Sequence, residues 1–197
     1  MIKINNISKK YTTEIFKLFS YNFEKNNIYF LRGPNGSGKS TLLKLIKGIY
    51  ICDDGEIHFN KICQKKDIAL VDGNSRTFIH RITVLQNLNY FFALQSKNLD
   101  SGRIIELLKL FNVENLQDKK FSSLSQGQMQ IISLVRALSS NPKVLLLDEV
   151  FSSLDKNHKG LVFEFLSEFV NKNKKLIIFT SHEDNHEDLV YKELCLS

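Results

Sequence analysis

The sequence predicts an α/β fold, with a parallel-sheet core and a helical segment inserted in it. Three observations carry that reading. First, Val144-Leu145-Leu146-Leu147 and Leu176-Ile177-Ile178-Phe179 are continuous apolar runs of strand length, the pattern of strands buried on both faces of a parallel sheet. Second, the apolar run Ile28-Tyr29-Phe30-Leu31 leads into the glycine-rich stretch Gly33-Pro34-Asn35-Gly36-Ser37-Gly38-Lys39-Ser40-Thr41. Leu42, Leu43, Leu45 and Ile46 follow at helical spacing, so the unit reads strand, loop, helix. Third, from about 83 to 139 the apolar spacing becomes helical.

The elements follow in order. Strand-like runs cover roughly 2–7, 15–23, 27–32, 55–60 and 67–71. The turn Asp53-Asp54-Gly55 enters Glu56-Ile57-His58-Phe59, which alternates as an edge strand does. In the helical segment, Thr83 with Gln86 and Ser125 with Gln128 each match a capping box. Pro142, one of only two prolines, ends a helix just before a strand, where a missing N–H is harmless. A helix over 155–171 places Leu161, Val162, Phe165, Leu166, Phe169 and Val170 on one face. No linker, repeat or low-complexity stretch interrupts the chain. The expectation is one domain over 1–197, with a helical subdomain at approximately 83–139.

Composition excludes several classes. The net charge of +6 is spread over scattered lysines, so a solvated surface accounts for it and no nucleic acid is expected as partner. Cys52, Cys63 and Cys195 show neither CxxC nor Cys/His metal spacing, which suits reduced thiols in the cytoplasm. The N-terminus has no apolar run suited to a signal peptide. No stretch approaches the ~18 apolar residues of a membrane-spanning helix. Any membrane role therefore requires a partner.

The glycine-rich stretch fits G-x-x-x-x-G-K-[ST], a loop that wraps a nucleotide's phosphates. Glycines let backbone N–H groups converge on an anion without interference from Cβ atoms. Lys39 can reach the β- and γ-phosphates, and the Ser40 hydroxyl can ligate Mg²⁺. The helix starting there points its positive end at the phosphates. Asp148 and Glu149 directly follow an apolar strand, and the carboxyl ends of strands are where open α/β sheets bind ligands. Asp148 can hold Mg²⁺, and Glu149 can orient and deprotonate an attacking water.

Leu124-Ser125-Gln126-Gly127-Gln128 resembles the LSGGQ signature of ABC-type ATPases, with Gln126 in place of the first glycine. The resemblance covers nearly the whole chain. It implies a P-loop NTPase core with an antiparallel β subdomain and an inserted α-helical signature subdomain. It implies ATP and Mg²⁺ as cofactors, with Gly33, Pro34, Asn35, Gly36, Ser37, Gly38, Lys39, Ser40 and Thr41 around the phosphates. Tyr11 sits where the family places an aromatic residue stacked on adenine. Lys39, Glu149 and His182 match its catalytic groups, Ser40 and Asp148 its metal ligands, and Asp155 its D-loop acid. Ser125, Gly127 and Gln128 would meet the γ-phosphate held by a second subunit, a copy of this chain or a related ATPase, in a head-to-tail dimer.

One departure stands out. After the strand Asp67-Ile68-Ala69-Leu70-Val71 the family carries a glutamine that reaches Mg²⁺ and water; this chain reads Asp72-Gly73-Asn74-Ser75. Asn74 is the nearest chemical substitute as a metal ligand, on a shorter arm. The resemblance further implies a separate transmembrane permease subunit, with this chain on the cytoplasmic face of the membrane. The short stretch after His182 leaves no room for a C-terminal regulatory domain, and short subunits of that kind resemble exporter ATPases. A soluble ABC-type ATPase not coupled to transport is the alternative. Such proteins usually carry coiled coils, zinc modules or duplicated ATPase domains, and the sequence shows none.

Overall fold

The computed structural model describes residues 1–60, 63–73, 77–94, 101–182 and 189–196. Strands β1 (Ile2–Lys10), β2 (Glu14–Phe23) and β4 (Asp54–Phe59) form an antiparallel sheet in the order β2-β1-β4. Alternation sets its inner face, where Ile2, Ile4, Ile7, Phe16 and Phe23 are buried. β4 is an edge strand, as its alternating sequence predicts.

The second sheet is parallel, in the order β5-β6-β7-β3-β8, formed by β3 (Asn27–Arg32), β5 (Ile68–Asp72), β6 (Val144–Asp148), β7 (Leu176–Thr180) and β8 (Lys192–Cys195). The two apolar runs are its inner strands β6 and β7, and every residue of both is buried. Each face is covered. Leu146, Ile178, Tyr29 and Leu31 pack with Leu42 and Ile46 of α1 (Lys39–Lys47), whereas Leu145, Leu147, Phe30 and Phe179 pack with Val162 and Leu166 of the last helix. β8 escapes the sequence reading because Lys192, Glu193 and Cys195 are exposed on an edge strand.

Between β5 and β6 lie α2 (Val84–Leu94), α3 (Ser101–Leu110) and α4 (Gln126–Ser139). Both predicted capping boxes form. Thr83 N–H donates to Gln86 Oε1 at 2.9 Å and Gln86 N–H to Thr83 Oγ1 at 3.2 Å. The segment leaving β5 is fastened to the approach to α4, since Ser122 N–H donates to His80 O at 3.1 Å and Phe121 N–H to Ile82 O at 3.0 Å. Phe78 stacks on Phe121 with centroids 4.1 Å apart. The Arg136 guanidinium of α4 sits over Phe78 at 4.3 Å and Phe91 at 4.5 Å and donates to Thr77 Oγ1 at 2.8 Å. α5 (Lys156–Asn173) then leads back to β7.

Parallel register positions the chemistry. Asp72 pairs with Asp148, and Asp148 pairs with Thr180. Three polar residues therefore line up at the carboxyl ends of adjacent strands. No helix among the described residues is long and apolar enough to cross a membrane.

Candidate functional site

The loop from Gly33 to Gly38 joins β3 to α1. Gly38 caps α1 with φ 92°, and a Cβ there would fall 2.5 Å from Ile15 Cγ2 and 2.7 Å from Phe16 Cζ. Glycine is thus required both by the left-handed backbone and by the close approach of β2. Lys39 is buried, and its Nζ donates to Gly33 O at 2.6 Å and Pro34 O at 3.0 Å, bracing the loop from inside. The first turn of α1 carries no acid and the last carries Lys44 and Lys47. Nothing on the helix neutralises its positive N-terminal end. Gly36 has open space around it, and the buried Ser37 Oγ has no hydrogen-bond partner. An unmet polar atom in a loop that ends at a helix N-terminus fits an anion such as a phosphate chain.

The acidic side meets this loop through Ser40. Its Oγ donates to Asp148 Oδ1 at 2.9 Å, and the same oxygen accepts from Thr180 Oγ1 at 2.8 Å. Asp148 is buried, so these two donors stabilise a carboxylate in poor solvent. A serine hydroxyl and a carboxylate in contact are the hard oxygen donors that suit Mg²⁺. Glu149 follows with φ 55°, a left-handed conformation that costs a non-glycine residue about 1–2 kcal/mol. Its Oε2 is buried with no hydrogen-bond partner, and His182 Nε2 lies 3.7 Å away. That gap is too long for a hydrogen bond and short enough for both groups to act on one small reactant.

The structure brings Ser40, Asp148, Glu149 and His182 together with the phosphate loop. Asn74 lies outside the described residues. Ser125 caps α4: Gln128 N–H donates to Ser125 Oγ at 3.3 Å and Ser125 N–H to Gln128 Oε1 at 3.0 Å. Each side chain therefore holds the other residue's backbone N–H, and the helix end they shape is exposed. Gly127 lies against the segment after Glu149, where a Cβ would fall 2.6 Å from Ser153 O. Asp155 caps α5, its Oδ1 accepting from His158 N–H at 2.9 Å and its Oδ2 meeting His158 Nδ1 at 2.6 Å. The His158 backbone N–H, and then its ring, hold the Asp155 carboxyl below the usual range. Tyr11 is half exposed, edge-on to Tyr50 with centroids 6.3 Å apart, and Lys9 Nζ lies 5.4 Å from its ring centre.

Sequence reading missed Thr180 as part of this site. The signal was present: a hydroxyl residue closes the otherwise apolar run Leu176–Phe179. What it touches depends on the β6–β7 register, which no local pattern encodes.

Comparison with known proteins follows the same lines. The sequence profile of the family described as ABC transporter matches residues 16–152. The probable sulfate/thiosulfate import ATP-binding protein CysA of Chlorella vulgaris is 34% identical, over 99% of this chain and 86% of that protein. The sulfate/thiosulfate import ATP-binding protein CysA of Halalkalibacterium halodurans is 32% identical, over 92% of this chain and 54% of its own length. This chain thus spans about half of that second relative. Among solved structures, the dimeric structure of MJ0796, described as a bacterial ABC transporter cassette, superposes with a TM-score of 0.87. It covers 100% of this chain and 94% of its own at 24% identity, a likeness of fold.

Proposed function

Because the chain belongs to the ABC transporter family, as an ATP-binding and ATP-hydrolysing subunit, we propose that it powers a separate permease through the site built around Asp148. The observation that carries the proposal is the junction at Asp148 Oδ1, where the phosphate-loop Ser40 and the strand-end Thr180 converge beside Glu149. In this reading the Gly33–Thr41 loop wraps the triphosphate and Lys39 turns its ammonium from the loop carbonyls to the phosphates. Mg²⁺, held by Ser40 and Asp148, would neutralise phosphate charge. Glu149 takes a proton from the attacking water, and His182 steadies that water and the γ-phosphate from the other side. Glu149 Oε2, which has no hydrogen-bond partner and lies 3.7 Å from His182 Nε2, supports a base awaiting a reactant.

The capped end of α4 acts on a second subunit. Ser125 and Gly127 present a helix N-terminus with no acid in its first turn, which suits the γ-phosphate of a facing copy. A head-to-tail dimer with twofold symmetry places two such ends on two nucleotides. We read the whole of 1–197 as one ATPase domain, with the helical subdomain at approximately 83–139 inserted in its α/β core. Coupling to a permease places the chain on the cytoplasmic face of the membrane.

For the direction of transport, import replaces the expectation of an exporter. Two relatives, matched over 99% and 92% of this chain, are named for import of sulfate or thiosulfate. The permease's membrane helices select the substrate. The test is ATP-dependent transport by the chain reconstituted with its permease in vesicles of both orientations. Substrate entering from the face opposite the ATPase supports import; movement away from the ATPase face opposes it. ATP hydrolysis that no membrane partner alters would oppose coupling altogether.

A further inference from the structure

We infer that Thr180 is a positioning residue for hydrolysis, one hydroxyl that sets both the metal-side carboxylate and the backbone of the general base. This rests on the reading of Asp148 and Glu149 as the metal and water side of an ATPase. Thr180 is completely buried at the end of β7. Its Oγ1 donates to Asp148 Oδ1 at 2.8 Å and accepts from Glu149 N–H at 3.0 Å. A hydroxyl has one proton to give and lone pairs to receive. Here both capacities are used, in opposite directions, on Asp148, the last residue of β6, and on Glu149 just beyond it.

Each contact has a distinct consequence. The donation to Oδ1 fixes the rotation of the Asp148 carboxyl, leaving Oδ2 outside this junction. The acceptance from Glu149 N–H satisfies a backbone donor at the point where the chain leaves β6. That N–H belongs to a residue with φ 55°. A left-handed glutamate persists only where its surroundings over-determine it, and Thr180 supplies one of those constraints. The strain aims the Glu149 side chain, whose Oε2 is buried without a hydrogen-bond partner and 3.7 Å from His182 Nε2. Thr180 therefore acts through Asp148 and Glu149 and does not touch the reactants.

Valine has nearly the shape of threonine and no hydroxyl. Thr180→Val should leave affinity for ATP without divalent cation within twofold, because the hydroxyl bonds Asp148 and Glu149 and not the phosphate loop itself. Misplacing a catalytic base by a fraction of an ångström costs on the order of tenfold to a hundredfold in rate, so kcat should fall by that factor with KM little changed. Thr180→Ser restores the hydroxyl and should recover most of the rate. A second readout needs no nucleotide. Hydrogen exchange at the Glu149 amide, measured by NMR on the free protein, should accelerate at least about tenfold in the valine variant and return to slow exchange in the serine variant. Unchanged amide exchange in Thr180→Val would overturn the inference, as would a kcat loss that serine does not repair. If the wild-type protein hydrolyses no ATP, the ATPase reading fails, and the amide measurement separates that failure from this one.

Discussion

Replacing Gly127 by alanine adds one methyl group at the start of α4, and the structure says where it goes. The new Cβ would lie 2.6 Å from Ser153 O and 3.6 Å from its carbonyl carbon. Ordinary carbon–oxygen contacts begin near about 3.4 Å, so the two backbones must part by roughly 0.8 Å. Neither atom sits on a side chain that can swing aside. Overpacking of this kind costs about 1–3 kcal/mol. Alanine returns up to about 1 kcal/mol through its helix propensity. Even against that full return the net loss reaches about 2 kcal/mol, which for a domain of this size lowers Tm by roughly 4–8 °C. Function should suffer more than stability, because the displaced pieces are the helix end proposed to meet the second nucleotide and the loop that follows Glu149. We expect ATPase activity to fall about tenfold or more, with ATP affinity of the single subunit unchanged. Gly127→Asp should fall further, since its carboxylate would repel the facing phosphate. Calorimetric binding, scanning calorimetry and a phosphate-release assay on the same preparations measure all three quantities. An alanine variant with wild-type Tm and wild-type turnover would refute the reasoning, because it would show that α4 and the 149–155 segment are not locked in this register.

Two other substitutions test separate parts of the account. Lys39→Ala removes the buried ammonium that now braces Gly33 O and Pro34 O. Loss of a charge-assisted contact costs about 1.5–3 kcal/mol, enough to push ATP binding below detection by calorimetry; unchanged affinity would refute the phosphate-loop assignment. Lys175→Met tests a buried cation outside the site. Burial pushes the Lys175 amine down to about 8 from its ordinary value of 10.5, while its Nζ donates to Pro142 O at 2.7 Å and Asn141 Oδ1 at 2.8 Å. Between those two pKa values the unfolded chain binds more protons, so wild-type stability rises with pH there. The cost of the charge is fully present below about 8 and gone above 10.5. From pH 7 to 9.5 the wild type should gain about 2 kcal/mol relative to the methionine variant in urea unfolding; parallel pH curves would contradict this.

The parts legible in sequence are those whose physics is local. A glycine-rich loop between a buried strand and an amphipathic helix announces itself, and so do capping boxes such as Ser125 with Gln128. Continuous apolar runs place β6 and β7 at the centre of the parallel sheet. The parts that were not legible depend on register between distant segments. Asp148 and Thr180 are neighbours only because β6 and β7 pair in parallel. Gly127 must be glycine because Ser153 O packs against it, which an isolated helix start does not reveal. β8 carries charged exposed residues and, among the described residues, pairs with β3 alone, so neither apolar content nor alternation marks it. Asp155 reads as a D-loop acid, and its carboxylate also caps α5 and holds His158, a local bond that the spacing to His158 could have shown.

Glu149→Gln tests the central claim most directly, that this chain closes on ATP and hydrolyses it with Glu149 as base. The amide keeps the shape of the carboxylate and cannot take a proton, and general-base catalysis is worth about 10²–10⁴-fold. With Mg²⁺ and ATP the variant should bind nucleotide as tightly as the wild type, release phosphate at least about a hundredfold more slowly, and appear as a dimer in light scattering. Wild-type turnover in Glu149→Gln, or a variant that stays monomeric with saturating Mg²⁺ and ATP at high protein concentration, would contradict the account.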